Sequence, residues 1–249
     1  MLRIAVLIPA AGSGARMRQG VAPQDQAGRP ENKVLRLLGG EPMLLHAVRT
    51  FHALAELTSV RIVARREDFE SLERMFSQRA HWPRLGPWVA GGFERQDSVR
   101  LGLKALAAEP EGPPQWVLVH DGARPLCSPD LVQRVLRALQ THTAVVPVLP
   151  VIDTVRMAQG EHSQGVLERA NLRLSQTPQG FHWSALWRAH MKAEADGFLG
   201  TDDGQLVERL GERVALVPGE RRNLKVTLAE DLAMAEWVLK NPGWGVTLF

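Results

Sequence analysis

The chain passes from strand to loop at Leu7–Ile8–Pro9–Ala10–Ala11–Gly12–Ser13–Gly14–Ala15–Arg16–Met17. The residues from 2 to 8 form a short, continuous apolar run rich in Ile and Val, and Pro9 ends it, which predicts a fully buried strand. Residues 10–14 carry almost no side chain, so their backbone N–H groups can approach phosphate oxygens closely. Arg16 adds a charge that persists near neutral pH. These features together predict a phosphate-binding loop.

Other interpretations of this loop stay open. A dinucleotide fingerprint, Gly-x-Gly-x-x-Gly, needs a third glycine where Met17 stands. A P-loop needs a following Gly-Lys-Ser/Thr, which the sequence lacks. Arg3, the apolar run and the Ala10–Ala11 pair imitate the three regions of a signal peptide. The loop by itself leaves nucleotide binding and a plain strand–turn–helix equally open.

Composition excludes several classes of protein. Of the 249 residues, 45% are hydrophobic and 23% are charged, as in ordinary globular proteins with a substantial core. No apolar run approaches the ~20 residues that span a bilayer, so no membrane partner is expected. A net charge of +3, with no basic tract among aromatic residues, argues against a nucleic-acid partner. Cys127 is the single cysteine, which excludes an internal disulfide and favours a cytoplasmic location.

Short apolar strands alternate with amphipathic helices along the chain. Strands are predicted at 2–8, 60–64, 88–90, 116–119 and 144–148. Helices are predicted from about residue 43, through 99–106, after the Ser128–Pro129 cap, and after a capping box of Thr227 and Glu230. This order is typical of a mostly parallel sheet with helices on both faces, hence a three-layer α/β domain over residues 1–249.

The region from about 147 to 181 breaks the alternation. It has no helical period, but short polar-alternating pieces surround Gly160 and Gly165. This pattern favours a β-hairpin or β-arm that protrudes from the main sheet, with an unstructured loop as the alternative. An excursion of this length without a core of its own usually finds a partner surface, so a homodimer is expected.

Two candidate ligand-binding segments lie near the first loop in the predicted topology. Lys33 follows the polar stretch 19–31, and its ammonium could extend over a ligand at the first loop; a merely solvated lysine is the alternative. Gly91 and Gly92 follow a predicted strand and expose backbone groups that could bind the edge of a base. A tight turn with a helix cap explains the same glycines.

Charged residues also follow later predicted strands. Asp121 and Arg124 come directly after the buried strand at 116–119, and ligands of parallel sheets bind beyond the carboxyl ends of strands. Asp121 could hold Mg²⁺ while phosphates supply other ligands. Lys225 interrupts a short predicted strand at 223–227 and needs a counter-charge, which a bound phosphate would supply.

These segments together resemble the 2-C-methyl-D-erythritol 4-phosphate cytidylyltransferase family of the non-mevalonate isoprenoid pathway. The matching segments fall in the family's order over nearly the whole chain: Pro9-Ala-Ala-Gly-Ser-Gly-Ala-Arg-Met17, Lys33, Gly91-Gly-Phe-Glu-Arg-Gln-Asp-Ser-Val99, Val119-His-Asp-Gly-Ala-Arg-Pro125, Pro150-Val-Ile-Asp-Thr154, Gln176-Thr-Pro-Gln179, Thr201-Asp202 and Asn223-Leu-Lys-Val-Thr227. The resemblance implies a homodimer with a Rossmann-like nucleotidyltransferase core and an exchanged β-arm. It also implies Mg²⁺-dependent transfer of CMP from CTP to the sugar-alcohol phosphate, with release of diphosphate.

The resemblance further implies roles for individual residues. Two catalytic cations would stabilise the transition state at the α-phosphate: Arg16 and Lys33. Small residues would cradle the phosphates of CTP: Ala10, Ala11, Gly12 and Gly14. The cytidine would contact Gly92, Phe93 and Ser98. Asp121 would lie between the metal and the acceptor. The acceptor site would be lined by Arg124, Thr201 and Lys225, joined by Thr154 and Arg169 from the arm of the other subunit.

The sequence departs from the family's pattern near the catalytic lysine. The stretch between Arg16 and Lys33 is longer than usual, and Val34 stands where the family commonly has glutamine. Gly122 replaces an alanine of the usual His-Asp-Ala-Ala-Arg-Pro. The insertion bears most directly on where Lys33 lies.

Four other functions remain as alternatives. Ribitol 5-phosphate cytidylyltransferases closely resemble this family, and sugar-1-phosphate nucleotidyltransferases share the first loop. An NAD-binding oxidoreductase would need an acidic ribose ligand after the second predicted strand, where Glu67 and Asp68 are near enough to qualify. A catalytically inactive dimeric binding protein would bind nucleotide without releasing diphosphate.

Overall fold

Twelve strands and seven α-helices form in the described part of the chain, which is residues 2–12 and 32–245 of a computed structural model. The strands are β1 (Ile4–Pro9), β2 (Leu37–Leu38), β3 (Glu41–Pro42), β4 (Ser59–Ala64), β5 (Val89–Ala90), β6 (Trp116–Val119), β7 (Ala144–Pro150), β8 (Arg156–Gln159), β9 (His162–Val166), β10 (Arg173–Ser175), β11 (Gln179–His182) and β12 (Val214–Pro218). The helices are α1 (Met43–His52), α2 (Phe69–Met75), α3 (Arg95–Ala107), α4 (Pro129–Leu139), α5 (Trp183–Asp196), α6 (Asp203–Glu208) and α7 (Ala229–Lys240).

An eight-stranded sheet forms the centre of the protein. Its order is β10–β7–β11–β6–β1–β4–β5, and β12 pairs with β7. The pairs that β1 makes with β4 and β6 are parallel, as are β4–β5 and β12–β7. In contrast, β11 runs antiparallel to both of its neighbours, and β10 runs antiparallel to β7. The sheet is therefore mixed but mostly parallel, and the predicted α/β class is confirmed.

Alternate residues of β1 supply the two faces of the sheet. Ile4, Val6 and Ile8 pack in one core cluster, together with residues of α1 and α4. Ala5 and Leu7 pack in the other cluster, together with residues of α3 and α5. Because successive side chains of a strand point to opposite faces, a continuous apolar run indicates a sheet that is covered on both sides. Full burial of each large apolar side chain stabilises the fold by roughly 1.5–3 kcal/mol. The sheet and the helices on its two faces form three layers.

A third core cluster lies where α7 packs beside β2. It joins Leu38, Val226, Ala235 and Val238. Val226 also donates its backbone N–H to the carbonyl of Ala123 at 2.8 Å. The segment 223–227 forms no strand, contrary to the prediction, because its hydrogen bonds go to loops and not to a neighbouring strand.

The cap of α7 also differs from the prediction. The carboxylate of Asp231, and not that of Glu230, accepts the backbone N–H groups of Thr227 and Leu228, each at 2.8 Å. The helix begins one residue later than the Thr227–Glu230 pattern indicates, so the N3 position falls on Asp231.

The β-arm is a hairpin of β8 and β9, both exposed along their whole length. It is shorter than the predicted excursion at about 147–181. Residues 147–150 continue β7 within the main sheet, and β10 and β11 return to that sheet before residue 181. The three residues of β10 are too few for sequence periodicity to reveal, and pairing with β7 fixes them as a strand.

The helices of the described ranges are short or amphipathic. None of them combines the length and the apolar character that crossing a membrane requires. Cys127, the single cysteine, is buried against α1 and α4, and this burial raises the pKa of its thiol well above the ordinary value. It therefore acts as a packing residue.

Candidate functional site

A cavity of about 290 Å³ opens at the carboxyl ends of β1, β5 and β6. Its lining brings together residues from five segments of the chain: Pro9, Ala10, Ala11, Gly12, Lys33, Val34, Gly92, Phe93, Glu94, Arg95, Ser98, Asp121, Gly122, Ala123, Lys225 and Thr227. This edge of a parallel sheet is where ligands of open α/β folds bind. Nine of the residues singled out in the sequence lie in this wall: Ala10, Ala11, Gly12, Lys33, Gly92, Phe93, Ser98, Asp121 and Lys225.

The first loop leaves β1 along the floor of the cavity. The backbone N–H of Ala10 donates to the carbonyl of Val63 at 2.7 Å, so this donor belongs to the sheet and is not available to a phosphate. Ala11 and Gly12 follow it in the cavity wall. Gly14 and Arg16 lie outside the described residues, and their predicted roles stay predictions.

The second loop packs tightly against the first. A Cβ at Gly91 would stand 2.3 Å from the Cβ of Ala11 and 2.9 Å from Oγ of Ser98. Only a residue without a side chain allows this approach, so the glycine brings the β5 loop against the β1 loop. The backbone N–H of Gly92 donates to Oγ of Ser98 at 3.2 Å, and Ser98 is buried. The side chain of Phe93 is 97% exposed at the cavity wall, where it can cover a ligand.

Asp121 is the electrostatic centre of the site. Its Oδ2 lies 2.7 Å from Nζ of Lys225, and its Oδ1 accepts from Nε of Arg95 at 2.8 Å. Nε of Arg124 lies 4.0 Å from Oδ2. Burial alone would raise the pKa of Asp121, but Arg95 most strongly, then Lys225 and Arg124, hold this pKa well below its ordinary value. The carboxylate is therefore ionised at neutral pH.

A buried acid and a buried histidine support this centre, and sequence reasoning did not identify either. Nη1 of Arg95 donates to Oδ2 of Asp203 at 2.8 Å, and Nε2 of His190 lies 3.0 Å from the other carboxylate oxygen. Asp203 is 1% exposed and His190 is fully buried. Burial alone would lower the pKa of Arg95, yet the two carboxylates raise it above its ordinary value. Arg95 thus stays charged and holds Asp121 in place.

Two lysines from separate segments of the chain line the cavity. Lys33 opens a short 3₁₀ turn, Lys33–Leu35, and its Nζ donates to the carbonyl of Val226 at 3.1 Å. Lys225 stands one residue before this acceptor and pairs with Asp121. The predicted counter-charge of Lys225 is therefore a carboxylate of the chain itself in this structure. Both ammonium groups lie in the wall of one cavity.

Two residues assigned to the acceptor site lie outside this wall. Arg124 is 9% exposed, and its Nη1 donates to the carbonyl of Asn223 at 2.7 Å. It ties the Asp121 loop to the segment that carries Lys225. Thr201 is exposed, and its backbone N–H donates to Oε1 of Gln205 at 2.7 Å. Asp202 caps α6, because its side chain accepts from the backbone N–H of Gln205.

The arm residues assigned to a second subunit also lie outside the cavity wall of their own chain. Thr154 and Arg169 are exposed and do not line it. Nη1 of Arg169 donates to the carbonyl of Ile152 at 2.7 Å, which braces the base of the arm. Their assignment to the site of a partner remains a prediction.

His120 fixes the loop that carries Asp121. Its Nε2 lies 3.0 Å from the carbonyl of Arg124, which can only accept, so this nitrogen carries the proton. Its Nδ1 then accepts from the hydroxyl of Thr177 at 3.2 Å, and that hydroxyl oxygen accepts the backbone N–H of Asp121 at 3.0 Å. Complete burial lowers the pKa of His120 to about 4.

The buried His120 predicts that stability falls with acidity. Between pH 6.5 and pH 4 the imidazole of His120 binds a proton in the unfolded chain but not in the folded chain. Stability that is present at pH 7 is therefore lost as the pH falls through this window. From pH 7 to pH 5 we expect the free energy of unfolding to drop by about 2 kcal/mol on this account. Urea unfolding at both pH values measures the difference.

The variant His120→Gln should make this pH dependence shallower. Burial also lowers the pKa of His52, so part of the slope should persist in the variant. His142→Gln, at an exposed site, is the matched control and should keep the wild-type slope. An unchanged slope in His120→Gln would contradict the assignment.

The donor set at the cavity bears on the predicted magnesium ion. Among the described residues, no group of three His, Cys, Asp or Glu side chains could hold a metal ion. Asp121 offers one carboxylate in the cavity wall. Mg²⁺ commonly binds one or two carboxylates and completes its shell with water and substrate phosphates. The residues present therefore fit Mg²⁺ as an ion that arrives together with a phosphorylated ligand.

The fold and this cation-lined cavity define an enzyme of the nucleotidyltransferase class. The family model described as IspD, 2-C-methyl-D-erythritol 4-phosphate cytidylyltransferase, matches residues 4–241. The chain belongs to this family, as the sequence motifs predict.

Individual relatives agree with this assignment. The 2-C-methyl-D-erythritol 4-phosphate cytidylyltransferase of Halalkalibacterium halodurans is 40% identical over 239 residues, which cover 96% of this chain and 97% of the relative. The enzyme of the same name from Bacillus licheniformis is 36% identical over 235 residues, which cover 94% and 95%. The crystal structure of that enzyme from Thermus thermophilus is 33% identical, with a TM-score of 0.70, and covers 94% of this chain and 98% of that one.

Proposed function

We propose that this protein transfers CMP from CTP to 2-C-methyl-D-erythritol 4-phosphate and releases diphosphate, a step of isoprenoid biosynthesis. One observation carries the proposal: Lys33, Lys225 and Asp121 line one cavity together with the small residues 10–12 that follow β1. The chain also belongs to this family. Two anions must come together in this reaction, and the cavity supplies fixed cations for them.

The reaction is an in-line displacement at the α-phosphorus of CTP. A phosphate oxygen of the acceptor forms a bond to this phosphorus, and the bond between the α-phosphorus and the oxygen of the β-phosphate breaks. The second pKa of a phosphate monoester is ~6, so the attacking oxygen is largely anionic near neutral pH. No general base is needed, and the chain's contribution is electrostatic.

Lys33 and Arg16 are the proposed partners of the α-phosphoryl oxygens. Negative charge on these oxygens develops in the transition state, and a preorganised donor directed at it is typically worth ~3–4 kcal/mol. Lys33 supplies such a donor from a 3₁₀ turn anchored at both ends. The phosphates are expected to bind along Ala11 and Gly12, and the cytidine toward Gly92, Phe93 and Ser98.

Lys225 and Asp121 are the proposed acceptor-side pair. A dianionic phosphate that enters next to Lys225 would draw the Lys225 ammonium away from Asp121. The Asp121 carboxylate would keep Arg95 as its cationic partner. Asp121 would then be the carboxylate that holds Mg²⁺, and the ion would neutralise phosphate oxygens when bound. Arg124 acts mainly through the backbone of Asn223, which leads to Lys225.

The test of this proposal is diphosphate release. The protein is incubated with CTP and Mg²⁺, in parallel with methylerythritol phosphate, with ribitol 5-phosphate and with no acceptor. We expect release with methylerythritol phosphate and at most a small fraction of that rate with ribitol 5-phosphate. Diphosphate release with ribitol 5-phosphate but not with methylerythritol phosphate would identify ribitol 5-phosphate as the acceptor. Binding of nucleotide without release of diphosphate would indicate an inactive binding protein.

The oxidoreductase alternative is not favoured. Asp68, one of its two candidate ribose ligands, is 5% exposed and accepts two hydrogen bonds from Arg65, so its carboxylate is committed within the fold. Neither Asp68 nor Glu67, the other candidate, lines the main cavity. Family membership points to the same conclusion.

We also propose a cytoplasmic homodimer joined through the β-arm. A two-stranded hairpin without a core is marginally stable in water, and β8 and β9 expose Met157 and Val166. Ile152 and Leu174, at the base of the arm, are exposed as well. In the dimer, the partner subunit's Thr154 and Arg169 would complete the acceptor site.

The variant Val166→Asp is expected to weaken this dimer, because it puts a charge into an apolar contact. Light scattering after size-exclusion chromatography should show a shift toward monomer, with a loss of transferase activity. Leu37→Asp is the matched control, since Leu37 is 58% exposed and Val166 is 54% exposed, and Leu37 lies on β2. A wild-type monomer, or equal effects of both variants, would contradict the arm-mediated dimer.

A further inference from the structure

Asn32, immediately before the proposed catalytic lysine, joins three segments of the fold. Its side-chain Nδ2 donates to the carbonyl of Ala10 and to Oδ2 of Asp68, both at 2.7 Å. Its Oδ1 accepts the backbone N–H of Val34 at 3.3 Å and so caps the turn that begins at Lys33. Asn32 is 2% exposed.

Asp68 is itself held in one orientation. Nε of Arg65 donates to Oδ2 of Asp68 at 2.8 Å, and Nη2 donates to Oδ1 at 2.7 Å. Planar guanidinium and carboxylate groups that meet in this two-point way fix each other's geometry. The Asn32 amide therefore bonds to a carboxylate with little freedom to move, just beyond β4.

We propose that Asn32 is a positioning residue for Lys33, in an inference that rests on the proposed function. The amide links the end of β1, where the phosphate loop begins, to the turn that presents the ammonium. Lys33 and Val34 line the main cavity, whereas Asn32 and Leu35 line a second cavity. The segment 32–35 is thus a thin wall, and its side-chain contacts decide where Lys33 lies. Displacement of a catalytic group by ~1 Å can cost as much as 10²-fold in rate.

The test is a double-mutant cycle between Asn32→Ser and Lys33→Ala. Serine can still cap the turn at Val34 but does not reach Ala10 and Asp68 together. With CTP, Mg²⁺ and methylerythritol phosphate, we expect Asn32→Ser to lower kcat about tenfold or more and to change the KM for CTP less than twofold. In the Lys33→Ala background the same change should lower kcat less than twofold, because the group that Asn32 positions is gone.

A matched control lies at the other end of β1. Oγ1 of Thr58 donates to the carbonyl of Ile4 at 3.0 Å and accepts its backbone N–H at 3.1 Å. Thr58→Val removes a comparable pair of hydrogen bonds far from Lys33 and should leave kcat within twofold of wild type. Asn32→Gln, which keeps the amide but misplaces it, provides a second and milder variant for the cycle.

The outcomes separate the two proposals. Equal fold losses from Asn32→Ser with and without Lys33, or no loss at all in an active enzyme, would overturn the positioning role alone. A wild-type protein that releases no diphosphate would overturn the transferase proposal and this inference together.

Discussion

The variant Lys33→Ala is expected to lower kcat by about 10²–10³-fold while the protein stays folded. The loss follows from the removal of a preorganised donor to the α-phosphoryl oxygens, at ~3–4 kcal/mol of barrier. The fold should tolerate the change, because the side chain's hydrogen bond to the carbonyl of Val226 is partly exposed and typically worth only ~0.5–1.5 kcal/mol. Steady-state diphosphate release and a thermal melt measure the two quantities.

The effect should appear in kcat more than in the KM for CTP, because the charge that Lys33 meets is largest in the transition state. Arg16→Ala is expected to behave in the same way. Lys192→Ala is the matched control, since Lys192 pairs with Asp196 on the exposed face of α5 and should have no kinetic effect. Near-normal turnover in both the Lys33 and the Arg16 variant would eliminate the proposed mechanism.

Locally determined features of the fold could be predicted from the sequence. The apolar run of β1 indicates a strand buried on both faces, and both faces are indeed covered. Ser128 caps α4 with Pro129 at the first helical position, as the sequence predicts, because both preferences belong to the helix terminus itself. Lys33 also lies at the cavity despite the long insertion before it.

Features that depend on distant partners could not be predicted. Arg95 and Asp203 are 108 positions apart in the chain, and their hydrogen bond exists only once α3 and α6 meet behind Asp121. The sequence places Lys225 in a strand because apolar residues flank it, yet Val226 is buried against α7 instead. The hydrogen bond from Arg124 to the carbonyl of Asn223 could not be predicted either, because no side-chain pattern reveals a backbone carbonyl as the partner.

The variant Asp121→Asn is expected to lower both turnover and stability. The substitution keeps the shape of the side chain but removes the charge that Lys225 and Arg95 contact. Arg95 keeps Asp203 as a partner and Lys225 is 40% exposed, so we expect the free energy of unfolding to fall by about 2–3 kcal/mol at pH 7, and kcat by about 10²-fold or more.

The pH dependence of this loss gives a separate test. The pKa of Asp121 is lowered in the folded protein, so its contribution to stability is complete above the unfolded value of ~3.9 and is lost as the pH falls through the folded value. The stability difference between wild type and Asp121→Asn should therefore be largest at neutral pH and should narrow below about pH 3.9. The pKa of Asp203 is lowered as well, so Asp121→Asn should still lose part of its stability as the pH falls.

Urea unfolding at pH 7 and at pH 3 measures both differences. Asp130→Asn, at an exposed position in the first turn of α4, is the matched control and should cost less than ~1 kcal/mol at either pH. A variant as stable and as active as wild type at pH 7 would show that neither stability nor turnover requires the negative charge of Asp121 beside its three cations. A stability difference that widens in acid would contradict the lowered pKa, because the neutral carboxyl group would then be the form that stabilises the fold.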